Sequence, residues 1–237
     1  SHFHSDHHFG LITILKKHYQ ITKTPLLILI PPLLETWLDS YSKEIENISN
    51  LFISFKTTEL MVGQRFKLDF LPEIDLFHLR TIPVIHCAYS FGINIVTSIG
   101  KYSIVYSGDA VPSPAIVDTG FGCDLLIHEA TYEDDLAVLA GETMHCTMSQ
   151  AADIAKRMNA KYAILTHFSQ RYIKMPLVPD VFPQNISIAF DNMRVKMTDL
   201  PKLPLFIPTL NCLYARHLSV LKEKTVIYQR RRFNDTT

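Results

Sequence analysis

His2-Phe3-His4-Ser5-Asp6-His7 packs three imidazoles and a carboxylate into one short stretch of chain. Neutral imidazole nitrogen and carboxylate oxygen suit zinc and related divalent ions, so the first chemistry to weigh is metal binding. In an extended stretch His2 and His4 point to the same side, because side chains alternate with period two. At the turn into a helix, Asp6 and His7 can face a second ion beside the first. A tag remnant would be a run of histidines without the patterned Asp6, and a plain surface cluster would have no partners further along. Candidate partners exist: His86 ends Pro83-Val-Ile-His86, Asp109 follows Tyr106-Ser-Gly-Asp109, and His167 ends Ala163-Ile-Leu-Thr-His167. Any one of these alone reads as a hydrogen-bonded core histidine or a turn. Their recurrence at strand ends, where active-site groups of α/β sheets gather, makes them candidate ligands.

The surrounding pattern supplies elements to hold them. Phe9 to Tyr19 has helical spacing, with Leu11, Ile14, Leu15, His18 and Tyr19 recurring on it. Pro25 to Pro31 encloses a continuous apolar run that reads as a buried strand, and Pro32 suits the start of a helix carrying Leu34, Trp37, Leu38 and Tyr41. Ile45 to Ile74 reads as short strands and loops. Arg80 to His86, Phe91 to Thr97 and Tyr102 to Ser107 are strand-like, the last two joined by a hairpin turn over Ser98 to Lys101. Cys123 to His128, Lys161 to His167 and Ser187 to Met197 are further strands. Ser149 to Asn159 is an amphipathic helix with Ser149 as its N-cap. Alternating strands and helices predict an α/β layered domain. After Asp199 the prolines and Arg230-Arg231-Arg232 suggest a loosely docked tail, solvated or touching RNA.

Composition narrows the function classes. Across 237 residues, 23 Lys and Arg balance 23 Asp and Glu. That excludes a uniformly basic nucleic-acid binder, so contact with phosphate must come from a local patch or from bound metal. With 47% hydrophobic and 19% charged residues, the chain is of globular, not disordered, composition. Cys87, Cys123, Cys146 and Cys212 form no CxxC pair, which argues against a disulfide framework or a thiolate zinc site and points to a reducing compartment. The apolar run Leu26 to Leu34, broken by Pro31 and Pro32, is too short for a membrane span of about 20 residues. No signal peptide is visible. The first residue is serine and the densest motif begins at residue 2, so the protein's beginning is expected to lie upstream.

Together H-x-H-x-D-H, the strand-end histidines and Ser-Gly-Asp resemble the metallo-β-lactamase fold. Finer motifs resemble its tRNase Z branch, the tRNA 3′-processing endonucleases: Val84-Ile-His-Cys-Ala-Tyr-Ser-Phe-Gly92, Tyr106-Ser-Gly-Asp109, Leu126-Ile-His-Glu-Ala-Thr131, Met144-His-Cys-Thr147 and Leu165-Thr-His-Phe-Ser-Gln-Arg-Tyr172. The match runs from residue 2 to about Met197 and looks closest to the catalytic, C-terminal half of the long eukaryotic form. The resemblance implies an αββα sandwich lacking its first strands, with a catalytic domain over 1–198 and a C-terminal tail over 199–237. It assigns His2, His4 and His86 to one zinc, Asp6, His7 and His167 to another, and Asp109 to both. Manganese or iron(II) is accepted by the same ligands. Asp6 would orient the attacking water or take its proton. His145 would protonate the leaving group, supported by Glu129, although this chain has His-Cys-Thr where the branch has His-Ser-Thr. Arg171 is a candidate to bind an RNA phosphate and Tyr172 to stack on a base, with a structural ion pair and a packed ring as the alternatives. Cys87 reads as structural.

The implied partner is precursor tRNA, with no membrane association and a monomeric full-length protein acting inside the cell, in nucleus, mitochondrion or both. Strands and a phosphate-contacting loop are expected before Ser1, and the chain alone is expected to cut poorly or not at all. Two rivals stand beside this reading. One is another hydrolase of the superfamily, acting on a small phosphodiester, thioester or lactone. The other is a truncated, non-catalytic RNA-binding relic.

Overall fold

The computed structural model describes residues 1–60, 78–99, 101–170, 175–178 and 182–223. The chain opens with a single helical turn, α1 (Ser5–His8), and then α2 (Leu11–Thr22), β1 (Leu26–Ile30) and α3 (Pro32–Glu44). β2 (Phe52–Lys56) pairs with β1 in parallel to form a two-stranded sheet. Its helices close a small core of their own. Leu15 of α2, Ile28 and Ile30 of β1, Leu34 and Leu38 of α3, and Ile48 are buried together. Pro25 and Pro31 bracket β1 as the sequence predicts, since proline cannot donate to a ladder.

A second, six-stranded sheet carries the rest. It contains β3 (His78–Pro83), β4 (Phe91–Val96), β5 (Ser103–Tyr106), β6 (Leu125–Glu129), β7 (Tyr162–Thr166) and β8 (Ile186–Ile188), side by side in chain order. β3, β4 and β5 are antiparallel neighbours, and β5 to β8 are parallel. It follows that β3, β5, β6, β7 and β8 all point the same way, and their carboxyl ends share one edge of the sheet. Helix α4 (Pro114–Thr119), α5 (Ala137–Glu142) and α6 (Met148–Arg157) fill the connections, and α6 packs against β6 and β7. Val105, Ile116, Leu126, Met148, Ile154, Met158 and Leu165 form its core.

Three expectations are corrected. The N-cap of α6 is Thr147, not Ser149: Thr147 Oγ1 accepts from the Gln150 backbone while Gln150 Oε1 accepts from Thr147 N at 2.9 Å, a reciprocal capping box. Ser149 is turned instead to Asp134, with Oγ to Oδ2 at 2.6 Å. The strand read over Ser187 to Met197 ends at Ile188, and Asn192 adopts a left-handed φ of 62° that no strand continues through. Residues after Asp199 begin as packed structure, not a loose tail. A 3₁₀ segment (Met197–Leu205) and α7 (Phe206–Leu213) bury Leu200 and Ile207. Arg230 to Arg232 lie outside the described residues.

Candidate metal centre

Four of the predicted side chains reach one place from the shared strand edge, and a fifth joins them from a loop between helices. His86 follows β3 by three residues, Asp109 follows β5 by three, Glu129 is the last residue of β6, and His167 is the first after β7. His145 comes from the loop between α5 and α6. The N-terminal motif arrives from the other side: Ser1 O accepts from Phe91 N of β4 at 3.1 Å, and this seats His2 against the edge. His4 is extended, φ −105° and ψ 148°, and α1 then brings Asp6 and His7 beside the cluster, Asp6 on its exposed side.

The loop after β5 depends on Gly108. Its φ of +61° is left-handed, and a Cβ built there would stand 2.8 Å from the Phe91 carbonyl oxygen, a backbone atom that cannot move aside cheaply. Only glycine therefore delivers Asp109 to its position. Met144 and His167 also have φ near +60° without being glycine. Such conformations persist where the surrounding structure enforces them.

Asp109 lies at the middle. Its Oδ2 is 3.1 Å from His7 Nε2, 3.3 Å from His167 Nε2, 3.6 Å from His2 Nε2 and 3.8 Å from His86 Nε2. His4 Nδ1 is 3.1 Å from both His2 Nε2 and His86 Nε2. On the far side Asp6 Oδ2 is 3.5 Å from His7 Nε2 and 3.7 Å from His167 Nε2. His2 and Asp109 are buried, whereas His4 and Asp6 are exposed, so the cluster opens to solvent on one side. Burial drives the His2 imidazole down to about 3, which keeps it neutral and its lone pair available. Burial works to raise the Asp109 carboxyl, but the surrounding His7, His167 and His2 imidazoles hold it at about 2.

These residues fit a bound cation on three counts. Nitrogens held about 2.0–2.1 Å from a tetrahedral ion stand about 3.3 Å apart, close to the separations among His2, His4 and His86. Asp109 Oδ1 is buried without a hydrogen-bond partner, although buried polar atoms are normally satisfied. The second ring nitrogens have partners: His86 Nδ1 donates to Met144 O at 2.9 Å, which leaves Nε2 free to face His4. Cys87 Sγ also lies within 4.8 Å of the His2, His4 and His86 donor atoms.

Beside the cluster, His145 Nδ1 donates to Glu129 Oε1 at 2.8 Å. Burial alone would lower the His145 pKa, but the hydrogen bond and charge of Glu129 outweigh it and the imidazole is raised. Burial conversely pushes Glu129 up, and His145 with the backbone donors Ala110 and Cys146 brings it below the ordinary carboxylate range. Ring centroids place His145 4.7 Å from His86 and 5.5 Å from His167. Cysteine in the His-Cys-Thr loop is accommodated: the Cys146 thiol donates to Ala110 O at 3.0 Å. All nine of the sequence-predicted metal and acid–base residues thus converge, while Arg171 and Tyr172 lie outside the described residues. Sequence reasoning gave no role to Thr131 or to the Met144 carbonyl, both of which touch site imidazoles. Thr131 closes the Leu126-Ile-His-Glu-Ala-Thr131 motif, but a backbone carbonyl leaves no side-chain signal.

A family model described as a beta-lactamase superfamily domain matches residues 1–168. A mitochondrial ribonuclease Z of Drosophila melanogaster is 38% identical over 233 residues, covering 95% of this chain and 30% of its own length. A zinc phosphodiesterase ELAC protein 2 of Macaca fascicularis is 38% identical over 229 residues, covering 91% and 28%. The crystal structure of a long-form RNase Z from yeast superposes with a TM-score of 0.78 at 24% identity, covering 89% of this chain and 34% of that one. The chain spans about 30% of the length of the curated relatives it matches. On its fold, its motifs and the family match, the chain belongs to the beta-lactamase superfamily, within which its similarity is to ribonuclease Z proteins.

Proposed function

We propose that the protein is a metal-dependent endoribonuclease that removes the 3′ trailer from precursor tRNA, leaving a 3′-hydroxyl on the tRNA. One observation carries the reading: seven imidazoles and carboxylates, Asp109 among them, come from four separate stretches of the chain and crowd together at one edge of the sheet. The names of the relatives support RNA as the substrate class and zinc as the metal, since one is called a ribonuclease Z and another a zinc phosphodiesterase. In this reading His2, His4 and His86 hold one ion, Asp6, His7 and His167 hold the second, and Asp109 contributes to both. When bound, a pair of divalent ions supplies an acidified water and charge stabilisation for the phosphate oxygens.

The chain's own groups do the remainder. Asp6 lies on the open side, where its exposed carboxylate orients the attacking water and accepts its proton. Asp109 is ionised and buried, and it keeps the imidazoles around it directed inward. His145, its pKa raised by Glu129, delivers a proton to the departing 3′ oxygen of the tRNA, while the phosphate stays on the 5′ end of the trailer. Glu129 holds the His145 tautomer with Nδ1 as donor, which leaves Nε2 to face substrate. Arg171 and Tyr172 are assigned to phosphate and base contact, and residues 1–198 to the catalytic unit. The mitochondrial name of the Drosophila relative favours action inside the cell, in that organelle. No described helix is long and apolar enough to cross a membrane.

The test is metal content followed by substrate competition. About two zinc ions per chain, and cleavage of precursor tRNA in preference to a small phosphodiester or a thioester, support the reading. Turnover of the small ester alone would identify a different hydrolase of the superfamily. RNA binding with no metal would identify a relic.

A further inference from the structure

Glu129 lies at the centre of a closed set of hydrogen bonds, and counting its protons leads to a residue outside the acid–base pair. Ionised carboxylate only accepts. Glu129 Oε1 takes Ala110 N at 3.0 Å and His145 Nδ1 at 2.8 Å. Oε2 takes Cys146 N at 3.1 Å, Thr131 N at 3.1 Å and the Thr131 hydroxyl at 2.8 Å. A threonine hydroxyl has one hydrogen, and here it is committed to Glu129. Thr131 Oγ1 also stands 2.8 Å from His167 Nδ1 and can offer that nitrogen only a lone pair. His167 Nδ1 must therefore be the donor. The proton then sits on Nδ1, and Nε2 presents its lone pair 3.3 Å from Asp109 Oδ2.

We propose that Thr131 is a positioning residue for His167, its hydroxyl, aligned by Glu129, fixing the proton on Nδ1 and turning Nε2 toward the metal centre. Two further features support the assignment. Thr131 and Glu129 are both buried, so water does not compete for the link. His167 has a left-handed φ of 61°, so an ordinary strand-end geometry does not set the direction of its ring, and the bond to Thr131 supplies that anchor. The consequence is that one carboxylate governs two imidazoles: His145 directly, and His167 through a hydroxyl. The inference rests on the reading of His167 as a metal ligand and adds a determinant of its tautomer.

Thr131→Val removes the hydroxyl at nearly constant shape, and Thr131→Ser keeps it. Long-range nitrogen–proton spectra of the 237-residue chain report which His167 nitrogen carries the proton, with His167→Gln used to assign the signal. Competition against a chromophoric chelator reports zinc affinity. The original chain and Thr131→Ser should show the proton on Nδ1. Thr131→Val should lose that preference and bind one of its zinc ions about 10–100-fold more weakly, the cost usual for a lost outer contact to a ligand. If Thr131→Val fails to fold, Thr131→Ala against Thr131→Ser isolates the same hydroxyl. An unchanged tautomer with unchanged zinc affinity in the hydroxyl-free variant overturns the proposal. Failure of the original chain to bind zinc would instead sink the proposed function, while the tautomer still decides the role of Thr131.

Discussion

At the scale of single residues, side chains that ligate or titrate are legible and the atoms that aim them are not. H-x-H-x-D-H, His86, Asp109 and His167 show themselves by type and spacing, because metal ligands come from a short list of side chains. Gly108 shows why a neighbour matters as much as a ligand. Gly108→Ala should place a Cβ against the Phe91 carbonyl and force alanine into left-handed backbone, a conformation costing about 1–2 kcal/mol before any clash. Chemical denaturation should show a loss of that size or more, and zinc titration should show weakened binding because Asp109 is displaced. A native-like zinc affinity in the alanine variant would show that Asp109 does not depend on this turn. The cysteines divide by environment. Burial and the neighbouring Asp124 push the Cys123 thiol up to about 11, and burial with Glu129 pushes Cys146 up as well. Cys212 is exposed. A thiol reagent should label Cys212 in the folded chain and reach Cys123 and Cys146 only on unfolding, since thiolate is the reactive form. Mass spectrometry of the labelled chain checks the order.

Elements were legible where pattern alone decides them and misread where a competing local bond decides. β1, β6 and β7 are short apolar runs with clear boundaries, and periodicity finds α3 and the body of α6. The order of strands in the sheet is set by long-range pairing, which no local window contains. That order is nevertheless what makes the strand ends converge, because parallel strands put every carboxyl end at one edge. Ser149 and Thr147 are equally good capping types in isolation, so sequence alone sets the cap of α6 two residues late. The choice falls to Gln150, which reaches back to Thr147 N, while Asp134 draws Ser149 away. Thr147→Ala should then cost about 1 kcal/mol, the usual loss of an N-cap. Ser149→Ala should cost less, because its bond to Asp134 is exposed to water. Urea denaturation of the two variants gives the comparison, and a larger loss at Ser149 would contradict the assigned cap.

Across the whole molecule the described residues form three buried apolar clusters, one on the two-stranded sheet and two on the six-stranded sheet, and the proposed metal centre draws its ligands from both sides of that division. Leu15, Ile28, Leu34 and Leu38 close the small core over β1 and β2, whereas Val105, Leu126, Ile154 and Leu165 close the larger one. A two-stranded sheet is marginal by itself, so the smaller unit gains from any tie to the six-stranded sheet. His2, His4, Asp6 and His7 belong to the segment that leads into α2, and His86, Asp109 and His167 belong to the larger sheet. A cation held by both sets crosses that boundary and binds the folded arrangement only. Ligand that binds the native state alone stabilises it by about 2.7 kcal/mol at a hundredfold excess over its dissociation constant. Zinc should accordingly raise the thermal midpoint of the chain, and a chelator should lower it. Hydrogen exchange should localise the difference: amides of α1, α2 and β1 should exchange faster without metal, while those of β5, β6 and β7 change little. Asp109→Asn weakens the donor common to both proposed ions and should abolish most of the zinc-dependent shift. Protection that changes uniformly over both cores, or a zinc shift that survives Asp109→Asn, would mean that the ion does not join the two units through this site.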